Sequence, residues 1–144
     1  MKVLIATEKP FAPVAVKGIK ETFDMAGYAC ETLEKYTDKA QLLAAVADCQ
    51  GLIVRSDIID AEVMDAAPEL KIIVRAGAGY DNIDLAAATA RKIVVMNTPG
   101  QNANAVAELV IGLLIYTMRQ RFNGKSGSEL MGKKMGLMAF GAVA

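Results

Sequence analysis

Five short apolar runs, separated by stretches with helical spacing, leave this chain few ways to fold. The runs are residues 3–6, 28–33, 52–54, 71–75 and 93–96. Most are continuous rather than alternating, as in strands buried on both faces; residues 28–33 alternate. Between the first two, Val16, Ile19, Phe23 and Ala26 recur at helical spacing. Pro13 suits the start of that helix and Gly27 its end. Thr37 or Asp38 can cap the next helix, carrying Leu42, Leu43 and Val46, and Asp60 and Asp84 can cap two more. The alternation predicts an α/β fold, a five-stranded parallel sheet with helices on both faces.

In such sheets ligands bind beyond the carboxyl ends of the strands. Two arginines fall there. Arg55-Ser56 follows the third run, and Arg75 closes the fourth just before Gly77-Ala78-Gly79. Glycines one residue apart let backbone N–H groups approach a ligand closely. With a guanidinium beside them, they suit a carboxylate or phosphate. The competing reading is a strand-to-helix turn that uses glycine only for its geometry, with the arginines paired to Asp57 and Asp81. Tyr80 covers such a site or simply packs.

The pattern changes after residue 96. Asn97-Thr98-Pro99-Gly100 reads as a turn, and Asn102 or Asn104 can cap a long helix over residues 105–121. That helix is apolar almost all round, so it requires cover from another layer or a second copy. Glu108 interrupts it, and it is too short to read as a membrane span. Residues 135–140 read as a further strand. It leads into Ala139, Gly141 and Ala144, a near-match to the dinucleotide-binding spacing G-x-G-x-x-G/A with alanine at the first position. The residues 77–82 are a second near-match that ends on Asn82 and reads as a decoy.

Composition narrows the function. Sixteen basic and sixteen acidic residues balance to zero net charge, which favours neither nucleic acid nor an anionic membrane surface. The chain has no histidine, which removes the commonest acid–base group and metal ligand together. Met1-Lys2 runs straight into Val3-Leu4-Ile5, an apolar run too short to read as a secretory segment, so Cys30 and Cys49 are expected as reduced thiols in a cytoplasmic protein rather than as a disulfide.

Residues 74–114, VRAGAGYDNIDLAAATARKIVVMNTPGQNANAVAELVIGLL, resemble the D-isomer-specific 2-hydroxyacid dehydrogenases. Residues 54–70 and 129–141 match the same family in the same order, so the resemblance runs from about Gly51 onward. It implies a flavodoxin-like substrate-binding domain over residues 1–98. It also implies a long crossing helix and the first strand of an NAD-binding Rossmann domain over 99–144, cut short. The implied chemistry is hydride transfer between a small phosphorylated 2-hydroxy acid and NAD.

The resemblance assigns Arg55, Ser56, Arg75, Gly77, Ala78 and Gly79 to substrate, and Ala78, Asn102 and Gly141 to cofactor. Relatives often carry threonine where Ala78 stands, which leaves only backbone there. The family's catalytic arginine, glutamate and histidine have no counterpart in the 144 residues. The chain alone is therefore expected to be inactive, and to associate as a homodimer through residues 105–121. The alternative is a stand-alone α/β binding or interaction module. A receiver-like version would need an acidic cluster at the strand ends, where arginines stand instead.

Overall fold

The computed structural model describes residues 1–143, which divide into two compact units, Met1–Thr98 and Pro99 onward. The first unit runs β1 (Lys2–Thr7), α1 (Pro13–Met25), β2 (Ala29–Glu34), α2 (Lys39–Val46), β3 (Gly51–Val54), α3 (Ala61–Asp65), β4 (Ile72–Arg75), α4 (Leu85–Ala90) and β5 (Val94–Asn97). All strands are parallel in the order β2-β1-β3-β4-β5. That is the flavodoxin-like order, with its switch point between β1 and β3.

The helix ends follow local chemistry. Pro13 occupies the first turn of α1. Gly27, at φ +72°, ends it: the Gly27 N–H donates to the Asp24 carbonyl and the Tyr28 N–H to the Phe23 carbonyl. This is a Schellman closure, in which a left-handed residue satisfies the last carbonyls. The carboxylates of Asp38, Asp60 and Asp84 accept from the N–H groups of Ala40, Val63 and Ala87, capping α2, α3 and α4.

Alternation along β1 divides the core. Val3 and Ile5, with Ile53, face Val16, Ile19 and Phe23 of α1. Leu4 and Ala6 join the larger cluster on the other face, with Leu42, Val46, Leu52, Val54, Val63, Met64 and Ile73.

Both cysteines are free thiols. Burial pushes the Cys49 thiol up to about 11 from its ordinary 9.0. Burial, then the hydrogen bond to Asp57, raises the Tyr36 phenol as well. Both groups hold their proton more tightly folded than unfolded. Their contribution is therefore complete below the unfolded pKa and lost as pH rises through the folded one. The urea midpoint is expected to stay level up to about pH 9 and fall beyond it. Cys49→Ala should remove part of that fall; a midpoint unchanged between pH 8 and 10.5 would contradict the assignment.

The second unit holds α5 (Ala103–Met118) and a 3-10 turn over Gln120–Phe122. The helix starts two residues earlier than expected and ends three earlier. Asn102 occupies its N-cap position without a side-chain cap bond. No α5 residue is buried, and Leu109, Ile111 and Leu113 are each more than half exposed. Tyr116 and Phe122 meet edge to face at 5.5 Å.

Residues 135–140, expected as the first strand of a Rossmann domain, form no strand. A strand exists by ladder bonds to a neighbour, and this apolar run has no partner strand among the described residues. Ala139 stands at φ +72°, a conformation that costs an L-residue roughly 1–2 kcal/mol. Glycine at this first position of the near-match would relieve that cost. Ala144, its third position, lies outside the described residues.

Candidate anion site at the carboxyl ends of β3 and β4

The register aligns Val54 of β3 with Arg75 of β4, so the chain leaves these neighbouring strands through Arg55-Ser56-Asp57 and Ala76-Gly77-Ala78 side by side. Ala76 extends the ladder by donating to the Val54 carbonyl at 2.8 Å. The next residue reverses the backbone: the Gly77 N–H donates to the Arg75 carbonyl two residues back. That closes a three-residue turn.

The arginines are anchored differently. Arg55 Nη1 donates to the carbonyls of Lys9 at 3.2 Å and Pro10 at 3.0 Å, and its guanidinium lies 5.5 Å over the Phe11 ring. Arg75 Nε donates to the Arg55 carbonyl at 2.9 Å. Neither forms an ion pair among the described residues. A guanidinium has five N–H donors. Arg55 therefore keeps Nε and Nη2 free for a ligand, and Arg75 keeps Nη1 and Nη2. Both are half-buried, which shields their charge from some of the screening that a surface cation meets.

Gly77 leaves room for that arrangement. A Cβ there would lie 1.4 Å from Arg75 Nη1, so any side chain displaces the guanidinium. The Gly77 carbonyl accepts from the Thr98 N–H at 2.9 Å, and the Ala78 carbonyl from Asn97 Nδ2 at 2.8 Å. The N–H groups of Ala78 and Gly79 have no partner among the described residues. Tyr80, at the loop's outer side, is half exposed.

Asp57 does not pair with the Arg55 guanidinium. It is buried, and its carboxylate accepts from the Glu8 N–H at 2.7 Å, the Tyr36 hydroxyl at 2.7 Å and the Arg55 N–H at 3.3 Å. It thus ties the ends of β1 and β3 to Tyr36 at the switch point. Asn82 Nδ2 completes the frame, donating to the carbonyls of Asp57 at 2.7 Å and Arg55 at 3.3 Å.

Of the residues expected at the site, Arg55, Arg75 and the Gly77–Gly79 loop stand together at one end of the sheet. Ser56 is exposed and lines a cleft of about 320 Å³ with Glu8, Tyr36 and Asp57; neither arginine lines it. Asn102 and Gly141 belong to the second unit. Gly141 is exposed, and a Cβ added to it would meet open space. Phe11, Asn82 and Asn97 support the site in a role that neither the 77–82 spacing nor the 97–100 turn implied. Their partners lie 19 to 44 residues away along the chain, so no local pattern marks that role. No group of acidic or cysteine side chains among the described residues is arranged to hold a metal.

The family model described as D-isomer specific 2-hydroxyacid dehydrogenase, catalytic domain, matches residues 3–142. D-3-phosphoglycerate dehydrogenase of Mycobacterium leprae is 41% identical over 120 residues, which are 74% of this chain and 23% of that protein. The human enzyme of the same name is 41% identical over 119 residues, 73% of this chain and 22% of its own. The chain thus spans about a quarter of the length of the curated relatives it matches. Among solved structures, the NAD+-bound 3-phosphoglycerate dehydrogenase of Entamoeba histolytica superposes with a TM-score of 0.86 at 54% identity. That match covers 90% of this chain and 43% of that one. An NAD-dependent formate dehydrogenase from Staphylococcus aureus superposes at 0.72 with 26% identity, over 86% of this chain and 40% of its own.

Proposed function

Because this chain belongs to the D-isomer-specific 2-hydroxyacid dehydrogenase family, we propose that residues 1–98 are the substrate lobe of an NAD-dependent oxidoreductase. The reaction proposed is oxidation of 3-phosphoglycerate to 3-phosphohydroxypyruvate, as the names of the relatives suggest. Residues from Pro99 onward belong, on this reading, to the cofactor domain.

The observation that carries the proposal is the pair of unpaired arginines at adjacent strand ends beside two unpartnered backbone N–H groups. Four free guanidinium N–H-bearing nitrogens and two amides suit a ligand with an anion at each end. The guanidiniums of Arg55 and Arg75 take one end, and the Gly77–Ala78–Gly79 backbone takes the other; Ser56 lies in the neighbouring cleft and is left out of this contact set. A 2-hydroxy acid with a distal phosphate has that shape and charge. Each charge-assisted bond contributes roughly 1.5–3 kcal/mol where water is partly excluded. Much of that is offset by immobilising the ligand, so the isolated chain is expected to bind at about the millimolar level.

Among the described residues no strand precedes Gly141. The assignment of Ala78, Asn102 and Gly141 to NAD is what the family resemblance implies. Without the family's histidine, these 144 residues alone are expected to show no hydride transfer.

Titration with 3-phosphoglycerate, followed by amide and arginine side-chain NMR shifts, tests the site. The expected result is movement at Arg55, Arg75 and residues 77–79. Shifts confined to other residues would leave the alternative, a binding module of different specificity.

The proposal includes a cytoplasmic homodimer formed through α5, whose exposed leucine and isoleucine side chains favour burial against a second copy. No helix among the described residues is long and apolar enough to cross a membrane. Sedimentation is expected to report about twice the chain mass; a monomer at high concentration would remove this part of the proposal.

A further inference from the structure

We infer that Asn97 is the residue that aims the Gly79 N–H donor into the anion site, acting through the Ala78 carbonyl and aided by the Thr98 backbone. The inference rests on the anion-site reading above and adds a residue that makes no contact with the ligand itself.

In a planar trans peptide the C=O and N–H point in opposite directions. Fixing a carbonyl therefore fixes the direction of the next residue's N–H. The Thr98 N–H holds the Gly77 carbonyl at 2.9 Å, which sends the Ala78 N–H the other way. Asn97 Nδ2 holds the Ala78 carbonyl at 2.8 Å, which does the same for the Gly79 N–H. Both anchors come from the carboxyl end of β5, so both amides face away from it. Two successive N–H groups turned to one side make a concave nest for an anion.

Three further observations support this. Neither amide has a partner among the described residues, so both are available to a ligand. The β4–β5 register also pairs Arg75 with Asn97, placing the anchor one strand away from the arginine that shares the site. Asn97 is half-buried, so its amide group is partly shielded from water that would otherwise compete for the Ala78 carbonyl. The Thr98 anchor is a main-chain N–H and does not depend on the Asn97 side chain. The Asn97 anchor is a side chain, and the aim of Gly79 depends on it.

The experiment compares wild type, Asn97→Ala and Asn97→Gln during 3-phosphoglycerate titration, reading affinity and the individual amide shifts. Asn97→Ala is expected to weaken binding by about tenfold. It should also remove the Gly79 response while the Arg55 and Arg75 side chains still respond. Asn97→Gln, which keeps the donor, should recover part of both. A purely structural role would lower stability without silencing Gly79 selectively. Equal affinity and an unchanged Gly79 shift in Asn97→Ala overturn the inference while leaving the anion site intact. A wild type that binds nothing at residues 55, 75 and 77–79 overturns the anion site and this inference with it. If Asn97→Ala does not fold, amide exchange on the wild type decides. Ala78 and Gly79 amides that exchange freely without ligand and slow with it support the inference; amides already protected in the free protein overturn it.

Discussion

Asp57→Ala is expected to destabilise the first unit by about 2–4 kcal/mol, the largest stability loss predicted for any polar residue in it. The residue is 5% exposed, and its carboxylate accepts three hydrogen bonds, from the Glu8 N–H, the Tyr36 hydroxyl and the Arg55 N–H. Alanine leaves three donors without their acceptor at the wall of the cleft that Asp57 lines. An unmade bond in such a place costs the desolvation of the donor, which exceeds the net worth of the bond itself. For a unit of this size the loss corresponds to a fall in melting temperature of roughly 10–20 °C. Asp57→Asn should cost less, because its amide oxygen can still accept from Glu8 or Tyr36. Tyr36→Phe removes one donor, so the double variant Tyr36→Phe with Asp57→Ala should be less destabilised than the sum of the singles. Additive losses would mean that the two side chains act independently, and the switch-point network would have to be redrawn.

Arg75→Ala is expected to weaken 3-phosphoglycerate binding by roughly 10- to 100-fold, provided the anion site is where we propose it. The substitution removes two free nitrogens with their four N–H donors, a charge, and the Nε bond that orients the guanidinium. Arg75→Lys should restore only part of the affinity. A single ammonium cannot hold the Arg55 carbonyl and present a planar fork to an anion together. Stability should change by less than about 1 kcal/mol, because Asn82 Nδ2 still donates to the Arg55 carbonyl. Gly77 supplies an internal control. In wild type a Cβ at this position collides with the Arg75 guanidinium. Gly77→Ala should therefore weaken binding by itself and add little once Arg75 is alanine. Added salt should weaken wild type more than Arg75→Ala. Unchanged affinity in Arg75→Ala, with the fold intact, would remove Arg75 from the site.

Arg55 illustrates how the site departs from a simple pair of free arginines. It stands at the strand end that the apolar runs predict, beside Arg75 across one ladder. Yet two of its five N–H donors are committed to the Lys9 and Pro10 carbonyls, and its face to Phe11. The guanidinium is held in place before any ligand arrives, which lowers the ordering cost of binding and also limits how many bonds it can offer.

What the sequence determined by itself were properties set within a few residues. Runs such as Leu52-Ile53-Val54 exclude water on both faces wherever they are placed, so they become interior strands. Asp38, Asp60 and Asp84 reach N–H groups two or three residues ahead, so each helix start is written locally. Gly27 tolerates the left-handed turn that ends α1 regardless of what packs beside it. Only the tertiary structure decided the fate of Asp57, a partner for arginine on the competing reading, which instead joins a backbone N–H and a hydroxyl 49 and 21 residues away. It alone brought Asn97 to the Ala78 carbonyl, because that bond requires β4 and β5 to be neighbours. It also left residues 135–140 without strand structure, despite an apolar pattern like that of the strands. The physical reason is shared by all three. Burial preference and capping act over a single turn of chain, whereas a hydrogen-bond partner or a strand's ladder is supplied by whichever distant segment folding brings alongside.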